Sequence, residues 1–532
     1  MKKLPLGIQS FRTIIEGGYV YADKTQYVYD LINNVKYYFL SRPRRFGKSL
    51  LLDTIAEAFS GDKGLFKGLY IYDTDFDFLK HPVLRLDMSN ISNKTPEDME
   101  VSLSGELYKR IQFEELNIST GIPSDMFKFL IEALYNKYNQ RVVILIDEYD
   151  KPILDHIDDI NTAEANRKIL RSFYGILKSM DPFLEFSFIT GVTKFTKTSI
   201  FSELNNFLDI TLLEDYANIC GITAEDLFTY FDEHTKNLSA SKKFQKYANI
   251  YDEIISWYDG YSWDGETRVI NPFSLLSFYT QKKFSNFWYS SGTPKFLMDL
   301  LKRRQGGFTD VKNIEMSEWA LDSFDITNIE IESLLFQTGY LTVIKILPDS
   351  APAIYVMGIP NYEVNTALNL QILAEFTEKG EIYAETAYRK IKDSLQTGNL
   401  KNMLSILKRL FASIPYQLHI SNEAYYHSIF YAIMNLLGFD VDAEVSVSGG
   451  RIDGTLELDD KIYVIEFKYE NYAFDSDAAV KQNLLAKVLD AGMKQIEDRG
   501  YCNKFAGSQK TIYQVVFAFL GRDEIDMRYN II

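Results

Sequence analysis

With 532 residues, 46% of them hydrophobic and 24% charged, the chain is too long for one ordinary core and too apolar for a disordered polymer, so two to four domains are expected. Its formal net charge of −16 excludes a polybasic nucleic-acid binder; any nucleic acid must meet a local basic patch or bridging metal ions. Two distant cysteines, Cys220 and Cys502, exclude a disulfide framework and a zinc cluster, as in a reducing cytoplasm.

The amino terminus, "MKKLPLGIQSF", lacks the apolar core of a signal peptide, and no apolar run is long enough to span a bilayer. A cytoplasmic protein with no membrane partner is therefore expected. From Tyr37 to about Thr211, β-rich runs alternate with helical stretches. The strands fall at Tyr37–Leu40, Val83–Ser89, Val142–Asp147, Phe183–Thr190 and Phe207–Thr211, and a helix starts at Ser49 and stops at Gly61. Continuous apolar strands separated by helices imply an α/β unit with a parallel sheet covered on both faces.

Residues 212–384 read as mainly helical and aromatic. Two short runs, Tyr340–Ile346 and Ala353–Val356, suggest a hairpin in a winged-helix-like lid. A helical lead-in begins at Glu385, and a second α/β unit starts near Ser421 with a helix capped by Ser421 or Asn422 and stopped by Gly438. Three strands follow, "DVDAEVSV", "RIDGTLEL" and "KIYVIEFKYE"; then a helix over Ala478–Arg499 and the strand "TIYQVVFAFL". The expected domains are thus 1–211, 212–384 and 385–532.

The first unit carries "YYFLSRPRRFGKSLLLDTIAEAF", a strand, a turn and a helix in the order a phosphate loop requires. In such a loop the backbone N–H groups and the helix N-terminus face the anion. Lys48 then reaches the β- and γ-phosphates, and the Ser49 hydroxyl binds Mg²⁺. Five residues before Gly47, however, the first glycine of such loops is replaced by Arg42. "RVVILIDEYDKP" supplies the partner motif: an apolar strand whose C-terminal edge presents Asp147 for Mg²⁺ and Glu148 to orient or deprotonate water. "FSFITGVTKF" ends a third strand, with Thr190 and Thr193 as γ-phosphate sensors and Lys194 and Lys197 as neighbouring cations; a helix cap with surface lysines is the competing explanation.

Together, "GIQSFRTIIEGGYVYADKT", "FLSRPRRFGKSLLLDTIAEAF", "VILIDEYDKPI" and "ITGVTKFTKTSIFSELNNFLDIT" resemble the bacterial AAA-ATPase-like family, as do "WYDGY", "NPFSLLSF" and "LLFQTGYL" further on. The resemblance implies ATP as ligand and a nucleotide-binding loop made of Arg44, Arg45, Phe46, Gly47, Lys48 and Ser49. It also makes Arg42 a family form of the loop. Whether Arg42, Arg44 and Arg45 touch phosphate or cap the helices stays open.

In "GRIDGTLELDDKIYVIEFKYE", Glu466 and Lys468 lie two apart on one strand and share a face, while Phe467 points the other way. A hairpin brings Asp453 beside Glu466, which makes a paired-carboxylate Mg²⁺ site with an adjacent ammonium. The competing explanation is a cross-strand ion pair on a solvated face. The pattern is similar to the PD-(D/E)XK nuclease superfamily, although Ile452 stands where that motif writes proline. The resemblance implies a helical acid at Glu423 and a glutamine at Gln495; His427, on the helix with Glu423, reads as packed or solvated. The combined expectation is an ATP-binding module coupled to a Mg²⁺-dependent nuclease acting on DNA, in a chain open to homo-oligomer formation. The alternative is a regulatory ATPase whose C-terminal domain binds nucleic acid or a protein without cutting.

Overall fold

The computed structural model describes residues 1–194, 206–288, 314–322, 330–347, 352–377, 379–412, 433–435, 454–470, 478–505, 507–520 and 524–532. Glu423, His427, Asp453 and Lys197 lie outside the described residues, as does the "DVDAEVSV" strand. The chain divides into two compact units, Met1–Phe296 with Val311–Val364, and Leu297–Asp310 with Asn365–Ile532. Among the described residues no helix is long and apolar enough to cross a membrane.

In the first unit, strands β1 (Tyr37–Ser41), β2 (Val83–Asp87), β3 (Val142–Asp147), β4 (Leu184–Gly191) and β5 (Leu208–Asp209) form one sheet in the order β2-β3-β4-β1-β5. Every pairing is parallel. All residues of β1 and β3 are buried, as their unbroken apolar runs require of a sheet covered on both faces. Helices α1 (Phe11–Glu16), α2 (Thr25–Asn34) and α3 (Lys48–Ala58) flank β1 in the chain; α4 (Pro96–Phe113) and α5 (Pro123–Tyr138) lie between β2 and β3. Then α6 (Lys151–Leu154) and α7 (Ile160–Ser179) lead to β4. Local chemistry sets their starts: the Thr95 hydroxyl accepts the Asp98 N–H before a helix opening with Pro96, and Asp159 accepts the Thr162 N–H.

Four further helices, α8 (Ala224–Tyr230), α9 (Asp232–Ser239), α10 (Ile250–Tyr258) and α11 (Pro272–Gln281), pack around an aromatic core that includes Phe231, Tyr258, Phe278 and Tyr279. The expected hairpin is present as β7 (Thr342–Leu347) and β8 (Ile354–Gly358), but β6 (Ile314–Ser317) pairs with β8 and makes a three-stranded sheet. In the second unit, β9 (Gly454–Glu457), β10 (Lys461–Glu470), β11 (Thr511–Leu520) and β12 (Glu524–Ile531) are ordered β12-β11-β10-β9. β10 and β11 run parallel, with the helix Ala478–Asp498 connecting them. Gly492 lets that helix close on the sheet, since a Cβ there would stand 2.5 Å from Val516 Cγ1.

Candidate nucleotide site and candidate nuclease centre

β1 delivers the chain into a loop that needs left-handed backbone twice, at Arg45 (φ 70°) and at Gly47 (φ 97°), before α3 starts. Such turns aim successive N–H groups inward, and only glycine adopts them without strain. Arg45 therefore holds a conformation that costs about 1 kcal/mol. Arg45→Gly should raise the unfolding free energy of the first unit by about 1 kcal/mol in chemical denaturation, read as a higher midpoint. An unchanged midpoint would mean the arginine side chain returns as much as its backbone loses.

Lys48 is the first residue of α3 and only 7% exposed. Its Nζ donates to the carbonyls of Arg42 and Pro43, each at 2.9 Å, so the ammonium is fixed inside the loop. Burial draws its pKa down, against the pull of Asp147, Glu148 and Asp150. Ser49 follows in the first turn, where its carbonyl accepts Arg85 Nη2 at 3.2 Å; Arg85 Nη1 meets Asp53 at 2.5 Å.

The acids stand at the same edge of the sheet. Asp147 ends β3 at 2% exposure, and its Oδ1 accepts the Glu148 N–H at 3.0 Å. Glu148 turns the chain with φ 49°, and burial pushes its carboxyl up, with Asp147, Asp150 and Asp87 adding to the rise and Lys48 opposing it. Because β4 lies between β1 and β3, Thr190, paired with Leu40, stands on the strand between the loop and the acids. The Thr190 hydroxyl is wholly buried and has no hydrogen-bond partner among the described residues. A polar atom left so is costly unless a ligand completes it.

Four neighbours are engaged otherwise than the sequence suggested or were not singled out. Thr193 is bound through its N–H (2.6 Å) and hydroxyl (2.7 Å) to Asp150, a buried carboxylate that also accepts the Val192 N–H. Asp150 thus pins the end of β4 to the turn after β3, and Gly191 permits the approach, since a Cβ there would stand 2.5 Å from Asp150 Oδ1. Lys194 is ion-paired to Asp209. Asp87 pairs in register with Asp147 and adds a further acid at this edge.

The residue in place of the first glycine does not face a ligand. Arg42 is wholly buried, donates to the carbonyls of Ser41 (2.9 Å), Thr211 (2.8 Å) and Tyr216 (3.2 Å), and lies 3.9 Å from the Trp263 ring. Burial lowers its pKa to about 10. The rest of the loop is held from the same side. The Phe46 ring packs edge-on against Tyr261 and Trp263, so Phe46 offers a ligand only its backbone. Arg44 and Arg45 are exposed, with the Arg45 guanidinium 4.7 Å from the Phe273 ring.

Beside the loop lies an apolar cavity of about 100 Å³, lined among others by Val20, Tyr21, Gly47, Leu51, Cys220 and Ile222. Its outer wall is the amino-terminal segment, fastened to α3 by Asp53, which accepts the Phe11 N–H at 2.6 Å, and by a two-pronged Arg12–Glu57 pair at 3.1 and 2.7 Å. Sequence patterns gave no sign of this cavity, because its walls come from four separate stretches, around Val20, Gly47, Cys220 and Pro272.

In the second unit, Glu466 and Lys468 share a face of β10, and that face is covered by the helix Ala478–Asp498. Ile462 and Val464, in phase with them, pack there against Leu489, Met493 and Ile496. The solvated-face explanation therefore fails: Glu466 is 1% exposed. Lys468 Nζ donates to Glu466 Oε1 and to Gln495 Oε1, both at 2.7 Å, so the helix glutamine joins the pair. On the opposite face, Phe467 packs against Phe519 (4.7 Å) and the Tyr463 hydroxyl donates to the Leu395 carbonyl at 2.6 Å. The antiparallel register pairs Gly454 with Ile465.

Comparison with known proteins finds matches for the segments on which the two candidate sites lie. Residues 5–201 match the family described as "Predicted AAA-ATPase", and residues 421–527 match the "PD-(D/E)XK nuclease superfamily". An uncharacterized protein in the vnfD 5′ region of Azotobacter chroococcum mcd 1 is 35% identical over 523 residues, covering 96% of this chain and 95% of that one. Among solved structures, the ORC2 protein of Aeropyrum pernix, determined as ADPNP–ADP complexes, aligns at 11% identity. It covers 68% of this chain and 99% of its own, with a TM-score of 0.27. On the near full-length identity and the two domain matches, the chain belongs to the family of predicted AAA-ATPases that carry a C-terminal domain of the PD-(D/E)XK nuclease superfamily.

Proposed function

We propose that the chain is a P-loop ATPase whose nucleotide state governs a Mg²⁺-dependent nuclease domain acting on DNA. The nuclease half rests above all on the Glu466–Lys468–Gln495 cluster, a buried carboxylate and ammonium on one strand face with an amide from the covering helix. The ATPase half rests on Lys48 fixed in a left-handed loop beside strand-end carboxylates.

When bound, Mg²⁺ neutralises phosphate charge and makes a water more acidic. Among the described residues no three His, Cys, Asp or Glu side chains could hold a metal ion together. In a triphosphate site most Mg²⁺ ligands are phosphate oxygens and water, and Ser49 and Asp147 would be this chain's contribution. Lys48 would bind the β- and γ-phosphates, and the Thr190 hydroxyl would donate to the γ-phosphate. Glu148, already shifted toward the protonated form by burial, would orient the attacking water and take its proton as the bond from phosphorus to the bridging oxygen breaks. The apolar cavity beside Gly47 would receive the nucleobase.

In the second unit, Glu466 with Asp453 would hold the metal, and Lys468 would leave its ion pair to stabilise charge on the scissile phosphate. Glu423, by the family resemblance, and Gln495, from the covering helix, would support the centre. DNA as the substrate, defence against foreign nucleic acid as the setting, and homo-oligomer formation in the cytoplasm belong to the same proposal. Calorimetric titration of Mg²⁺ into wild type and Asp453→Asn tests the centre apart from turnover. Equal heats in both would point to a domain that binds nucleic acid or protein without cutting it.

A further inference from the structure

One buried carboxylate of the first unit takes part in neither proposed reaction. Glu363 is wholly buried, and among the described residues no lysine or arginine pairs with it. It stands in an aromatic surrounding with Tyr258, Tyr261 and Trp288 as neighbours. An anion in such a place is costly, and chains keep one only where it holds something in position.

Its Oε1 accepts the Trp288 N–H at 2.7 Å, and the Trp288 indole Nε1–H in turn donates to the Arg44 carbonyl at 3.2 Å. Arg44 lies in the middle of the phosphate loop. The same indole packs against Tyr340 (5.1 Å) and Tyr261 (6.5 Å), and Tyr261 meets Phe46. Gly339, at φ 92°, completes the wall: a Cβ there would stand 2.9 Å from Pro43 Cβ and 3.2 Å from Trp288 Cζ2. Pro43, Arg44 and Phe46 are thus each held from behind by residues far along the chain.

We propose that Glu363 and Trp288 are positioning residues for the nucleotide loop: the carboxylate fixes the tryptophan backbone, and the indole fixes the Arg44 carbonyl so that the loop N–H groups face the phosphates. The inference rests on the nucleotide reading for its purpose, but its geometry can be tested without nucleotide. Arg44 and Arg45 are exposed, so native-state trypsin cleavage after them reports how firmly the loop is held. In full-length protein, Trp288→Phe, which removes the indole N–H and keeps an aromatic ring, should speed that cleavage about three- to tenfold, the worth of one hydrogen bond. Glu363→Ala should do the same, and Glu363→Gln, which keeps an acceptor, should stay within about twofold of wild type.

The double variant Trp288→Phe/Glu363→Ala should be no faster than the worse single, since both act through one chain of bonds. Mg²⁺–ATP affinity by calorimetry should weaken in the same order and by similar factors. Cleavage rates unchanged in Trp288→Phe, or losses that add in full in the double variant, overturn the inference. Absence of ATP binding to wild type, with the cleavage pattern as expected, overturns the nucleotide reading and leaves the loop clamp standing.

Discussion

Replacing Arg42 with glycine, the residue phosphate loops usually carry there, should destabilise the first unit by about 3–5 kcal/mol rather than improve the loop. The side chain is wholly buried and satisfies the carbonyls of Ser41, Thr211 and Tyr216 while its guanidinium covers Trp263. Glycine would take a donor from the Ser41 and Thr211 carbonyls, while Tyr216 keeps the Ile219 N–H, and would leave a cavity against the indole, two costs that add. A thermal melt should fall by roughly 4–7 °C, since about 2.1 cal/mol/K of unfolding entropy per residue over so long a unit gives about 1.4 °C per kcal/mol. A melt within a degree or two of wild type would mean that the loop is not built around the arginine. The arginine thus serves the loop from behind, as a strut between β1 and the segment after β5.

Glu363→Gln should stabilise the same unit at pH 8 and leave it nearly unchanged at pH 4.5. Burial raises the Glu363 carboxyl from an ordinary 4.5 to about 7. A carboxyl with a raised folded pKa binds its proton more tightly in the folded state. Its contribution is therefore fully present below the unfolded value, near pH 4.5, and is lost as pH rises through about 7. The shift corresponds to about 3 kcal/mol at pH 8, which the non-titrating amide does not lose. Denaturant midpoints of both proteins at pH 4.5 and pH 8 check this, and the same difference between them at the two pH values would contradict it. Stability given up at neutral pH is what a positioning role for Glu363 entails.

Much of the fold was legible in the residues. The unbroken apolar runs of β1 and β3 left no other place than a covered sheet, and β10 and β11 span the residues their patterns marked. Spacing alone put Glu466 and Lys468 on one face, and Gln495, which the family resemblance had named, bonds to Lys468 there. What periodicity cannot supply is order and depth. That β4 inserts between β1 and β3, and so sets Thr190 between loop and acids, follows from packing across the sheet. Asp150 was invisible as a strut because its partners, Val192 and Thr193, are brought to it only by that order. Arg42 beside two exposed arginines gave no hint that it alone turns inward, since the Trp263 face that receives it lies far along the chain. β12 and β6 were missed for a plainer reason. Both alternate in polarity, but β6 is only four residues long and each is an edge strand paired on one side, with no apolar run to mark it.

The coupling of the two chemistries is tested most directly by incubating purified full-length protein with linear and circular DNA and Mg²⁺, with and without ATP, alongside Lys48→Ala and Lys468→Ala. The expected result is Mg²⁺-dependent cleavage by wild type that changes on adding ATP, a nucleotide response missing in Lys48→Ala, and no cleavage by Lys468→Ala. Wild-type protein that cuts neither DNA under any of these conditions, or cleavage that survives in Lys468→Ala, would contradict it.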